Sequence, residues 1–281
     1  MPLIVDEAHG AHFPFGKEAG FPASGINLGA DLVIQSVHKT LPSLTQTALL
    51  HVGKEACIDL DRLSFYLSVY QSSSPSYLFM SSIEESILFM NSEEGRKKLS
   101  ESAALIKAFR KRAEEEIRHI RLFKGTGIYD FGKLVLVPAY RRLEDGTLTD
   151  GSFLSDILRN RYFMEPEMHT ERYVILMTSV MDEKEAFDRL FMALKGIDAV
   201  MDGGRDEKDL YLSLPVEAPK VCAGIQKAFS VDHEEKLLDQ ACGQVCGTYI
   251  YIYPPGIPLL TPGEEIGQRE ISMIRNWQAH G

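Results

Sequence analysis

Pro2-Leu3-Ile4-Val5-Asp6-Glu7-Ala8-His9-Gly10 and Leu32-Val33-Ile34-Gln35-Ser36-Val37-His38-Lys39-Thr40 share one design: an apolar, β-prone run that ends in a cluster of reactive side chains. Runs of this kind predict buried strands, and open α/β sheets carry their chemistry at the carboxyl ends of such strands. One tip offers a carboxylate and an imidazole. The other offers a serine, a histidine and a lysine.

That set of side chains suits pyridoxal phosphate (PLP). Its pyridine nitrogen stays protonated beside a buried carboxylate, which stabilises the electron-withdrawing ring. Asp6 is the candidate. A lysine with a lowered pKa is needed for the Schiff base, and Lys39 fits. Ala8, two positions after Asp6 and so on the same strand face, leaves room for a flat ring. Ser36 and His38 offer donors to a phosphate, and His9 can hydrogen-bond the ring hydroxyl.

Asp-Glu-Ala-His-Gly-Ala-His-Phe at 6–13 and Gly-Ala-Asp-Leu-Val-Ile-Gln-Ser-Val-His-Lys-Thr-Leu-Pro-Ser-Leu-Thr-Gln-Thr-Ala at 29–48 closely resemble the ornithine/lysine/arginine decarboxylases. The resemblance continues at Gln71-Ser72-Ser73-Ser74-Pro75-Ser76-Tyr77. It returns at Tyr253-Pro254-Pro255-Gly256-Ile257-Pro258-Leu259-Leu260 and Pro262-Gly263-Glu264. It implies an α/β chain of the aspartate-aminotransferase type (PLP fold type I). Part of the large domain would span 1–92, a linking helix and small α/β domain 93–204, and a C-terminal α+β decarboxylase domain 205–281.

The implied activity is decarboxylation of a basic amino acid to an amine and CO2, as in polyamine biosynthesis. Lys39 would carry the cofactor and Asp6 pair with its ring nitrogen. Ala8 would pack on the ring, His9 lie near the phenolic oxygen, and Ser36 and His38 hold the phosphate. Ser73 and Ser74 belong to a loop that a neighbouring subunit lends to the phosphate side, which implies a homodimer or higher homo-oligomer. Family members begin with a further half of the large domain that cradles the phosphate and stacks on the ring. A truncated reading frame, a split gene or an expressed fragment is therefore expected. The alternatives are a non-catalytic fragment or assembly partner, and a transamination run on the same fold.

At 281 residues, 44% hydrophobic and 25% charged, the chain has the composition of a globular protein. A net charge of −10, with no basic run, argues against nucleic acid and suits a cationic substrate. Neither a signal peptide nor a membrane-length apolar run is visible, and four cysteines without a Cys-x-x-Cys pair read as reduced thiols, so a cytoplasmic setting is expected.

Residues 10–30, rich in Gly and Pro, predict a long irregular connection lining the site, and 47–52 a further strand. Helices are predicted at 55–69, 76–90, 93–119, about 150–162 (Asp150 or Ser152 as N-cap) and 183–200, with strands at 133–137 and 173–177. The basic cluster at 107–112 reads as a solvated face. Beyond Gly203-Gly204 the pattern predicts two short helices, an aromatic strand with Tyr249, Tyr251 and Tyr253, a rigid proline turn and a last helix.

Asp-Glu-Ala-His also names a helicase box, but that function needs an upstream G-x-x-x-x-G-K-[S/T], which the sequence lacks. A metal held by Asp6, His9 and His12 is disfavoured because a spacing of three suits a helix, not a strand end. The alternating tyrosines read as packing, and Glu264 as a helix-start carboxylate or a contact to a cationic substrate. Gln244 and Thr248 depart from the family's basic residue and glutamate, which bears on substrate choice.

Overall fold

The computed structural model describes residues 1–207, 218–252 and 256–280. It comprises two compact units, Met1–Lys208 and Asp209–Gly281.

The first unit opens with β1 (Ile4–Asp6), β2 (Leu32–Ser36), a single helical turn α1 (Val37–Thr40) and β3 (Ala48–Val52). β1 lies parallel to β2, with Asp6 opposite Ile34, and β3 lies antiparallel on the other side of β2. The connection 10–30 is irregular, as its glycines and prolines predict, and holds only the 3-10 turns Phe13–Phe15 and Gly25–Leu28. Val33 of the central strand is fully buried, whereas Ile4 is 58% exposed. The expectation that both tips belong to buried strands therefore fails for β1. Among the described residues that strand pairs on one edge only, and Asp6 at its end is exposed.

α2 (Leu60–Tyr70), α3 (Tyr77–Asn91) and α4 (Glu93–Glu116) follow. α2 begins later than its apolar spacing predicts. Asp31 accepts the backbone N–H of Cys57 at 2.6 Å and Gly53 donates to the Asp31 carbonyl, so the chain is held against β2 until Asp59 caps the helix. Ser76 and Ser92 cap the next two helices through the N–H groups of Phe79 and Gly95.

A second sheet, ordered β4-β5-β8-β7 and antiparallel throughout, is built from β4 (Ile120–Leu122), β5 (Lys133–Pro138), β7 (Met168–His169) and β8 (Val174–Met177). A two-strand ribbon pairs β6 (Arg141–Arg142) with β9 (Arg205–Asp206), and α5 (Gly151–Tyr162) and α6 (Lys184–Asp202) complete the unit. Strands β4, β6, β7 and β9 are two or three residues long, too short for a period-two pattern to register in sequence. Leu134 and Leu136 of β5 alternate inward and join Ile106 and Phe109 of α4, Leu154 and Leu158 of α5, and Phe191, Leu194, Ile197 and Met201 of α6 in one core. Burying such a side chain contributes about 1.5–3 kcal/mol. Asp150 caps α5 as expected, accepting the Phe153 N–H at 2.9 Å.

The basic cluster at 107–112 is solvated at Lys107, Lys111 and Arg112, as expected, but Arg110 is half-buried. Arg110 lays its guanidinium on the carbonyls of Phe131, Phe123 and Lys133 at 2.7–3.1 Å, Lys107 donates to the Ala19 carbonyl, and Arg112 lies over the Phe191 ring. Long basic stems cover apolar surface while their heads satisfy backbone oxygens.

The second unit holds α7 (Ile225–Phe229), the hairpin β10 (Ile250–Ile252) and β11 (Ile257–Leu260), and α8 (Gln268–His280) around Cys246, Leu260, Ile266 and Ile271. Gly263 sits at φ +97, and a Cβ there would stand 2.1 Å from the Ala223 carbonyl oxygen, so this turn requires glycine. Tyr249 and Tyr251 are 45% and 59% exposed and do not pack as expected; Tyr253, Pro254 and Pro255 lie outside the described residues. Glu264 precedes α8 by a full turn and accepts the Thr261 N–H at 2.6 Å, closing a loop instead of starting a helix. Among the described residues no helix is long and apolar enough to cross a membrane.

Candidate active site

The parallel register of β1 and β2 brings the two predicted tips side by side, and Ser36 donates its N–H to the Ala8 carbonyl at 3.3 Å. Asp6 turns one carboxylate oxygen back onto the Ala8 N–H at 3.0 Å, which fixes the bend into His9. α1 then reverses the chain after β2, and Lys39 Nζ lies 2.8 Å from His9 Nε2. The burial of α1 directs this, since Val37 and Thr40 are buried and Lys39 faces the other way.

A third group completes the cluster. Glu167 Oε1 lies 3.3 Å from Lys39 Nζ and 3.2 Å from His9 Nε2. The Glu167 N–H is bonded to the Ile175 carbonyl, so the second sheet carries this carboxylate to the tips of the first. All three side chains are about one-third exposed. Burial pushes the His9 pKa down, Lys39 and Lys133 push it further, and Glu167 and Asp6 oppose them. With Nε2 unprotonated, His9 accepts from Lys39, which donates to Glu167 as well; with Nε2 protonated, His9 itself donates to Glu167.

Asp6, Ala8, His9, Ser36 and Lys39 thus lie at one pair of strand tips. His38 is adjacent; its Nδ1 donates to the Thr47 carbonyl at 2.9 Å, so only the imidazolium form has a second N–H, on Nε2, to give an anion. The Ser36 hydroxyl makes no capping bond to α1. Ser73 and Ser74 stand apart in an exposed turn between α2 and α3. Among the described residues no hydrogen bond or ion pair joins them to Lys39, His9 or Asp6.

Two features were not foreseen. Glu167 is signalled only by a carboxylate after Pro166 and just before a strand. Behind His9 stands a second charged group: Lys133 Nζ is 3.4 Å from the His9 carbonyl oxygen and 3.1 Å from Asp130 Oδ2, and His12 Nε2 is 3.8 Å from Asp130 Oδ1. Burial is the largest influence on Asp130 and acts upward, but His12, Lys133 and the Gly132 N–H together outweigh it and hold the carboxyl at about 2.

Because 3.8 is the unfolded value and the folded value is lower, this carboxylate stabilises the fold above pH 4, and the contribution fades as pH falls towards 2. Asp130→Asn is expected to cost about 2 kcal/mol at neutral pH, with the gap to wild type closing across that acid window. Urea unfolding at stepped pH measures it, and a gap that stays constant down to pH 2 contradicts the assignment.

A parallel-tipped sheet presenting a lysine and a carboxylate, backed by a second antiparallel α/β layer, defines the class, and the comparisons define the family. The family model described as the major domain of Orn/Lys/Arg decarboxylases matches residues 1–183, and that of their C-terminal domain matches 205–280. The chain belongs to the Orn/Lys/Arg decarboxylase family.

It is 30% identical over 280 residues to an arginine decarboxylase of Bacillus subtilis and 28% identical over 285 residues to one of Bacillus anthracis. Each alignment takes in 98% of this chain and 55% of the relative, so the chain spans about half the length of the curated relatives it matches. Among solved structures, the constitutive lysine decarboxylase of Escherichia coli superposes with a TM-score of 0.71 at 17% identity, over 98% of this chain and 49% of that one. Lysine decarboxylase A of Pseudomonas aeruginosa gives 0.66 at 17%, over 99% and 49%. The fold is the expected type I α/β arrangement.

Proposed function

We propose that this chain carries the lysine-bearing part of a PLP-dependent decarboxylase acting on arginine, lysine or ornithine and releasing CO2 and the corresponding amine. The observation that carries the reading is Lys39 Nζ held between His9 Nε2 and Glu167, on a strand tip paired with that of Asp6. Family membership and relatives named arginine decarboxylase support the reaction class.

Lys39, oriented by His9 and Glu167 and still about one-third exposed, suits a carbonyl cofactor. Lys39 would bind it covalently, Asp6 hold a proton on the ring nitrogen, Ala8 leave space for the ring and His9 meet its phenolic oxygen. Ser36 and His38 would bind the phosphate, with Ser73 and Ser74 reaching a partner subunit's site in a homodimer or larger assembly. Bound there, PLP supplies an electron sink for the pair left behind as CO2 departs. Lys39 Nζ is the atom placed to return a proton to the substrate carbon, and Glu167 offers the negative charge that a cationic substrate side chain needs. We read 1–92, 93–204 and 205–281 as large-domain part, small domain and C-terminal domain, in a cytoplasmic enzyme of polyamine biosynthesis.

A second reading is favoured by one feature, the open β1 edge with Leu3 and Ile4 more than half exposed: the chain works only with a complementing polypeptide. Supplying the purified chain with PLP and carboxyl-labelled arginine, lysine and ornithine separates the cases. Labelled CO2 with the matching amine supports the enzyme. A keto acid instead of CO2 overturns it in favour of transamination, and failure to bind PLP leaves only the second reading.

A further inference from the structure

The sequence from His9 to Phe21 is pinned to the segment that opens β5. The His12 ring stands edge-on to Phe13 and Phe21 at 4.7 and 4.6 Å, and Phe21 stacks on Phe131 at 4.3 Å. Beside these rings three polar side chains have little access to water: His12, Asp130 and Lys133 have 7%, 13% and 17% of their side chains exposed. Asp130 also takes the Gly132 N–H at 2.9 Å, so its orientation is set by its own turn. Such a buried group is costly to maintain, and a hydrophobic trio of similar volume often serves stability as well. What this one does that an apolar trio cannot is hold an ammonium against the backbone of His9, 3.4 Å from its carbonyl oxygen.

We propose that Lys133, anchored by Asp130 and through it to His12, is a positioning residue for His9: it grips the His9 carbonyl and keeps a fixed positive charge behind the imidazole that meets Lys39. The proposal rests on the reading of His9 and Lys39 as the site. It adds that the second sheet controls their geometry from its first strand as well as through Glu167. The groups facing His9 are Asp6 from β1, Lys39 from α1, Lys133 from β5 and Glu167 before β7. Two cations and two carboxylates therefore surround the ring, and Lys133 is the cation held by Asp130. Taking it away leaves one cation against two carboxylates, which favours the imidazolium.

The test needs neither cofactor nor turnover, so it stands or falls apart from the decarboxylase reading. In the full chain labelled at histidine Cε1, with the His9 signal identified by its loss in His9→Gln, the titration midpoint of His9 is followed by NMR. Lys133→Met is expected to move that midpoint to higher pH, and Lys133→Arg to leave it near wild type. Because Lys133→Met strands the buried Asp130, the neutral pair Asp130→Asn/Lys133→Met is measured beside it and is expected to show the same upward shift. A His9 midpoint unchanged in a folded charge-removing variant overturns the proposal. Collapse of both charge-removing variants also overturns it, since the pair would then serve the fold and not His9.

Discussion

Lys39→Ala is expected to abolish the covalent capture of PLP: treated with PLP and borohydride, the wild-type chain should gain one reduced pyridoxyl group at Lys39, and the variant none. The physical ground is the placement of a single amine. Lys39 Nζ reaches His9 Nε2 at 2.8 Å and Glu167 at 3.3 Å while remaining about one-third exposed, so it is both oriented and reachable. Among the described residues, surface lysines such as Lys97 and Lys111 pair with carboxylates one helical turn away and with no imidazole. Peptide mass mapping after reduction reads the result. Label that persists in Lys39→Ala, or that distributes over surface lysines in the wild type, removes Lys39 from the role.

Glu7→Ala is expected to destabilise the first unit by about 3–5 kcal/mol, a large share of a domain's total stability. Glu7 stands next to Asp6 in sequence but faces the opposite way, into the protein, with 8% of its surface exposed. Its carboxylate accepts from the Ser24 hydroxyl at 2.6 Å, the Gly25 N–H at 2.8 Å and Gln35 Nε2, and Gln35 in turn accepts from His51 Nε2 at 3.0 Å. One side chain thereby ties β1 to the far end of the 10–30 connection and, through Gln35, to β2 and β3. Alanine would strand these buried donors without an acceptor, each worth about 1–3 kcal/mol. Urea unfolding with far-UV circular dichroism measures the loss, and limited proteolysis is expected to open first within residues 10–30. A loss below about 1 kcal/mol with that segment still protected would refute the bridging role.

Glu7 and Asp6 also mark where legibility ends. Period-two alternation lets a reader send one of them inward, and the resemblance selects Asp6 for the cofactor, but neither says that Glu7 anchors a loop whose partner serine lies at position 24. Arg110 follows the same rule: it looks like any solvated basic residue until Phe123, Phe131 and Lys133 bring three carbonyls to its guanidinium. The helix caps at Asp150, Ser76 and Ser92, by contrast, are local devices. A residue and the N–H three positions on suffice, so Asp150 could be named in advance.

The amino-acid order alone carried everything that depends on near neighbours along the chain: the strand tips, the irregular 10–30 segment, the main helices with their caps, and the family motifs around Asp6 and Lys39. Contacts between distant segments came only with the folded chain. Glu167 and Lys133 flank His9 because β8 and β5 bring them there across more than a hundred residues, and Asp6 is exposed at the end of a strand that pairs, among the described residues, on one side. Periodicity records which face of an element is apolar, but it holds no information about which distant charge that face will meet.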